Sequence, residues 1–330
     1  IGMAGAETVN DLRGGATAYL KNQTLSAGNV TVTAVESASL TATTQVEAAS
    51  SGGSKFGAGT SLAAAGVIAT NVAQGGATAY IKGSDVTATG DVSVSASDTG
   101  TVAATVVNGV TSGDTAVGVT LAFNSLGWES QNVLFNTVDA VTGTQIANEQ
   151  PAEVQAYIQD SDVQAGGGVS VDALSNAAIE AKISTSSVAL LAEFGSDDPA
   201  QTVSVAAVIG MNKVSTKVQS YIAGANVVQA ETGDIVVTAK DQSIIFADVH
   251  APSMAVGISS QAATTVSVGL SMARNRINNQ VRASVRDVDQ VNAVDGAVRV
   301  ETIEAATIDA TSIASSIAVA VSADGGKAFS

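Results

Sequence analysis

The sequence predicts an all-β fold: a parallel β-helix, or β-solenoid, of about five stacked units of ~62 residues. Three observations carry this. First, all four tyrosines occupy one slot of a repeat: Ala18-Tyr19-Leu20, Ala79-Tyr80-Ile81, Ala156-Tyr157-Ile158 and Ser220-Tyr221-Ile222. A fifth copy, Ala283-Ser284-Val285, keeps the frame without the ring, and the slots are 61, 77, 64 and 63 residues apart. Second, an asparagine stands nine residues before each slot, at Asn10, Asn71, Asn148, Asn212 and Asn275. Third, apolar residues make up 45% of the chain but aromatics only 3%, which suits a thin core of Val, Ile, Leu and Ala. A tandem of β-sandwiches needs roughly 100 residues per domain and a bulkier core. A fixed period of this length is the mark of stacked repeats.

Each unit has the same internal order. A strand precedes the asparagine, with Val266, Val268, Leu270 and Met272 on one face, and Val203, Val205, Ala207 and Ile209 in the unit before. Period two over this length predicts that this face is buried. The slot strand follows. Val154, Ala156 and Ile158 share one side and Tyr157 points to the other, so the tyrosines are expected to face outward or to lie under a loop. A short Asp-Val element comes next, at Asp85-Val86 and Asp162-Val163. The turns Gly28-Asn29, Gly90-Asp91, Gly167-Gly168, Gly233-Asp234 and Gly296-Ala297 then lead into alternating runs such as Val92-x-Val94-x-Ala96. The units are placed at 10–70, 71–147, 148–211, 212–274 and 275–330. Each is expected to hold two or three coils of about 4.8 Å rise, wound right-handed by the chirality of parallel crossovers. On that count the tyrosines lie too far apart to stack. The pattern breaks off after Ala318-Val319-Ala320-Val321, which reads as an internal fragment of a longer protein.

The second unit carries an insertion over 125–145, with the only tryptophan, Trp128. Leu134, Val138 and Val141, with Phe135 beside them, follow helical spacing, so a short amphipathic helix is expected near 128–141. It either covers a local apolar patch or offers a contact site led by Trp128.

Charge and composition exclude several function classes. A net charge of −16 with no basic patch argues against nucleic acid and against anionic lipid. No apolar run of about 18 residues predicts a membrane-spanning helix. With no cysteine, thiolate catalysis and Cys-based metal sites are excluded. The lone His250 is a poor metal ligand set. Asp287, Asp289 and Asp295, and separately Ser196-Asp197-Asp198-Pro199, could offer oxygens to calcium, although neither matches an EF-hand loop. No other cofactor is expected. The Gly52-Gly53-Ser54-Lys55 turn lacks phosphate-loop spacing. The rows Thr31-x-Thr33 and Ser93-x-Ser95 resemble ice-binding faces but are broken by Asp172 and Arg299. Arg274, Arg276, Arg282 and Arg286 cluster without the paired acids of a polysaccharide-cleaving β-helix enzyme. Tyr80, Tyr157, Tyr221 and Trp128 are the candidate ligand-binding aromatics, suited by ring type to sugars.

The unit Asn-x7-Ala-Tyr-Ile-x2-Ser-Asp-Val-x-Ala-x-Gly-Asp-Val-x-Val-x-Ala, read from Asn71 to Ala96 and less cleanly from Asn148 to Ala173, resembles repeats of giant secreted proteins of Gram-negative bacteria. The insertion from Ala122 to Asn132 resembles segments of the same group, the filamentous-haemagglutinin-like adhesins. The resemblance implies a β-solenoid stalk, export, and a role at the cell surface in adhesion, aggregation or sheath formation. It implies host or neighbouring-cell glycans or proteins as partners, and lateral or end-to-end self-association. It carries no catalytic residue. A structural spacer is therefore the leading expectation, a glycan-binding module the second, and a polysaccharide-acting enzyme the third.

Overall fold

A computed structural model describes residues 1–51, 60–129, 141, 148–193 and 199–330. The chain winds through the same sequence of strands again and again. The first coil holds β1 (Gly2–Arg13), β2 (Ala16–Lys21), β3 (Thr24–Ala27), β4 (Val30–Glu36) and β5 (Ser39–Ser50). The second holds β6 (Leu62–Gln74), β7 (Gly76–Lys82), β8 (Asp85–Ala88), β9 (Val92–Asp98) and β10 (Thr101–Ser112). The third holds β11 (Thr115–Leu126), β12 (Ala152–Gln159), β13 (Asp162–Ala165), β14 (Val169–Ser175) and β15 (Ala178–Glu193). In the fourth, one long strand β16 (Ala200–Ala223) precedes β17 (Val227–Ala230), β18 (Ile235–Asp241) and β19 (Ile244–Ser259). In the last, β20 (Ala263–Arg286) precedes β21 (Gln290–Ala293), β22 (Val298–Glu304) and β23 (Thr307–Ser322), and β24 (Gly326–Phe329) starts another pass.

Among the described residues, equivalent strands of successive coils pair in parallel, which gives curled parallel sheets in an all-β molecule. The sheet of β1, β6, β11, β16 and β20, extended by β2, β7 and β12, forms a front wall. The sheets of β5, β10, β15, β19, β23 and of β4, β9, β14, β18, β22 form a back wall packed against it. The short sheet of β3, β8, β13, β17 and β21 closes one narrow edge.

Each unit makes one coil, where the sequence suggested two or three. Gly2 pairs with Ala63 and Tyr19 with Tyr80, each 61 positions on. The reason is the breadth of the walls. The 24-residue β20 spans about 80 Å at strand rise, while five coils stack to only about 20 Å. The molecule is a broad slab, not the narrow tube that short strands implied. Side chains staple its turns: Asn29 Oδ1 accepts from Asp91 N, Asp91 Oδ1 from Gly168 N and Asp234 Oδ1 from Ala297 N, each at 2.8 Å.

An asparagine row runs through the inside of the front wall. Asn10 Nδ2 donates to Asn71 Oδ1, Asn71 to Asn124, Asn124 to Asn212 and Asn212 to Asn275, at 2.7–2.8 Å. The third member is Asn124, not the Asn148 chosen by spacing. Asn148 instead donates from Nδ2 to Glu129 Oε2 at 2.9 Å, where the chain returns from the insertion. Chain length between Asn124 and β12 is free to vary, so distance from the tyrosine misassigned the residue. Gly127 starts that excursion at φ +75°, with Ser215 O 2.0 Å from where a Cβ would sit. Of the expected helix, Leu134, Phe135 and Val138 lie outside the described residues, and Val141 is exposed.

The interior divides in two. Near the closed edge it is aliphatic: Ala79, Ile81, Val94, Ile158, Val171, Ile222 and Val237 are all fully buried. In the other half small residues are interspersed with aliphatic ones such as Val67, Val106, Ile183, Val208 and Val249. There Ser267, Ser253, Ser204 and Ser187 form a hydroxyl relay at 2.9–3.0 Å. The Val and Leu face expected to be buried points outward: Val268 and Leu270 are 45% and 53% exposed, while Ser204, Ala206 and Val208 lie inside. Parity decides this. β16 runs unbroken to Val218 and Ile222, which must face the aliphatic core, so every even position before them is also inside.

Candidate functional site: an outward aromatic ladder

One coil per unit brings the tyrosines together. Register pairs Tyr19 with Tyr80, Tyr80 with Tyr157, Tyr157 with Tyr221, and Tyr221 with Ser284. The rings project from the outside of the front wall, where Tyr19 is 61% exposed. Successive centroids are 5.2, 4.9 and 4.8 Å apart, with interplanar angles of 9°, 1° and 2°. The expectation that they stand too far apart to stack is thus overturned, because it rested on the coil count. Sheet spacing itself sets the ring spacing. In the last coil Arg286 continues the stack, its Cζ 4.9 Å from the Tyr221 centroid.

The geometry governs what the ladder can recognise. Both faces of Tyr80 and Tyr157 are occupied by neighbouring rings, so a sugar ring cannot lie on them. Ring edges and phenol groups remain. Burial, then the adjacent rings Tyr221 and Tyr80, pushes the Tyr157 phenol up to about 12. Burial also raises Tyr221, against the opposing pull of Arg286. Tyr157 and Tyr221 therefore present neutral hydroxyls at ordinary pH. Replacing Tyr157 with Ala removes two stacked pairs and should cost about 1–3 kcal/mol. Thermal melts of the variant and of Tyr19→Ala, at the open end of the row, check this; equal shifts for both would contradict it.

Trp128 is 2% exposed, so its indole offers no open face to a ligand. Its ring lies 5.1 Å from Lys213 Nζ and 5.8 Å from Arg276 Cζ, and its backbone bridges antiparallel to Glu149. Arg276 thus joins an aromatic contact. Asp287 sits in a turn at φ +53° that leads to Asp289, and Asp295 in the next turn donates its backbone N–H to Glu231 O. Among the described residues no three His, Cys, Asp or Glu side chains converge on a cation-sized point. Asp197 and Asp198 lie outside the described residues. His250 Nε2 lies 2.6 Å from Asp248 Oδ1 on the outer back wall.

A row of acids escaped the sequence reading. Glu36, Asp98, Asp241 and Glu304 occupy one register position, with Ser175 in the third coil. Each acid accepts from the backbone N–H two residues on, at Ala38, Gly100, Ser243 and Ala306. The available signal was an acid closing four of the five Val/Ile-x-Val runs, all but the one ending at Ser175. Asp241 also accepts from Asn279 Nδ2 at 2.8 Å and from the Thr216 hydroxyl. Burial, then a hydrogen bond to Glu36, pushes Asp98 up to about 7. The adjoining cavity, lined by Leu12, Leu126 and Gly100, measures about 10 Å³, room for no more than a water. All four carboxyls fix turns, and the cavity beside Glu36 and Asp98 is too small for a substrate.

No family model, curated protein or solved structure matches the chain.

Proposed function

We propose that the chain is a structural segment of a giant extracellular adhesin or surface filament, working by shape and without catalysis. The observation that supports this reading is the in-register stacking of whole units, with Asn and Tyr rows running from coil to coil. Such an array propagates indefinitely by adding units. A right-handed winding follows the general rule for parallel crossovers. Each added unit lengthens the stack by only about 4.8 Å, so the reading favours breadth and stiffness over reach.

The experiment is immunolabelling of intact source cells with an antibody to this segment. Labelling that protease shaving removes is the expected result. Signal that appears only after permeabilisation would overturn the surface assignment. Binding to a glycan array that is lost in a Tyr80→Phe/Tyr157→Phe variant would favour the second reading, recognition of sugars by the exposed hydroxyls.

A further inference from the structure

The half of the front wall away from the short sheet has an inverted pattern. Its inside is mostly Ser, Thr, Ala and Gly, with Val67 and Val208 the exceptions, and its outside is mostly apolar. Val119, Leu121, Val205, Ile209, Val268 and Leu270 all point outward there. Across five strands and four outward positions on each, the one charged side chain is Glu7. At strand spacing that wall covers on the order of 650 Å² in projection, close to the roughly 800 Å² per partner of a standard stable interface. Soluble proteins rarely leave so large an apolar area uncovered.

We propose that this wall is an interface with a second copy of the chain, packed face to face with the stacking axes reversed about a twofold along β11. Three features fit this occupant. The wall has a depression of about 420 Å³ over Gly5 and Gly66, beside Ile68 and Leu121. Leu270 protrudes in the same column at the opposite end of the stack. Reversal sets the Leu270 of one copy over the glycines of the other. Apolar sheet faces commonly pack on one another about 10 Å apart with interdigitating side chains, and a second copy supplies such a face. Lipid is the poorer occupant, because Asp114 and Asp324 stand on the adjacent edge and the chain carries a net charge of −16. The inference stands whether or not the chain is a surface spacer.

The twofold places Val119 opposite Val119 of the second copy. The chain has no cysteine, so one introduced thiol reports on this contact. Under mild oxidation Val119→Cys should form a disulfide dimer, whereas Thr31→Cys, on the polar back wall, should not. Sedimentation of the unmodified chain should give a dimer that Leu270→Glu halves in mass, with an unchanged circular dichroism spectrum. A monomeric Val119→Cys, equal crosslinking at Thr31→Cys, or crosslinking through Leu190→Cys on the opposite wall would overturn the proposal. So would a monomer that floats with phosphatidylcholine vesicles.

Discussion

Replacing Asn212 with alanine should destabilise the protein by about 3–5 kcal/mol, because two polar atoms of its neighbours lose their partners. Asn212 is fully buried; its Oδ1 accepts from Asn124 Nδ2 at 2.8 Å, and its Nδ2 donates to Asn275 Oδ1 at 2.7 Å. Deletion leaves the Asn124 donor stranded and opens a void between coils. Each stranded buried group costs about 1–3 kcal/mol, and the void adds to that. Asn10→Ala, at the end of the row, removes a half-buried side chain and strands a single acceptor, Asn71 Oδ1, that water can reach from the vacated position, so it should cost about 1 kcal/mol. Urea unfolding midpoints of the two variants test this. A shift for Asn212→Ala no larger than that for Asn10→Ala would refute the view that the row holds coils in register.

The Asp98 carboxyl makes stability depend on pH in an uncommon direction. Its value in the folded chain, about 7, lies above the ordinary carboxylate value, because burial and Glu36 disfavour its ionised form. The folded state therefore binds a proton that the unfolded chain releases. The resulting stabilisation is complete below about pH 4 and is lost as pH rises through about 7. Its size is on the order of 2–4 kcal/mol. Asp98→Asn keeps an acceptor for the Gly100 N–H and a donor toward Glu36 without a titrating proton. The variant should melt higher than the parent at pH 8 and match it near pH 4. Parallel pH profiles for parent and variant would show that this carboxyl does not control the slope.

Much of the architecture was legible in the residues. Alternation gave the strands, Gly-Asn and Gly-Asp pairs gave the turns, and the opposition of Tyr157 to Val154 and Ile158 placed the rings outside. The candidate site was legible only as a set of residue types. Whether the tyrosines stack depends on how many units make a coil, and a period in sequence is silent about that. Trp128 read as a binding residue because aromatic chemistry is visible and burial is not; the structure encloses it beside Lys213 and Arg276.

The sequence by itself determined the repeat, its strands and turns, and the acidic, cysteine-free surface, because these follow from local propensity and composition. Only the tertiary structure decided which face of each strand is inside. Val268 and Leu270 alternate as a buried face would, yet they face out, because parity along an unbroken strand is fixed by the distant core around Val218 and Ile222. Likewise Asn124 joined the buried row in place of Asn148 because hydrogen bonds form between coils, and register between coils is set by the whole stack.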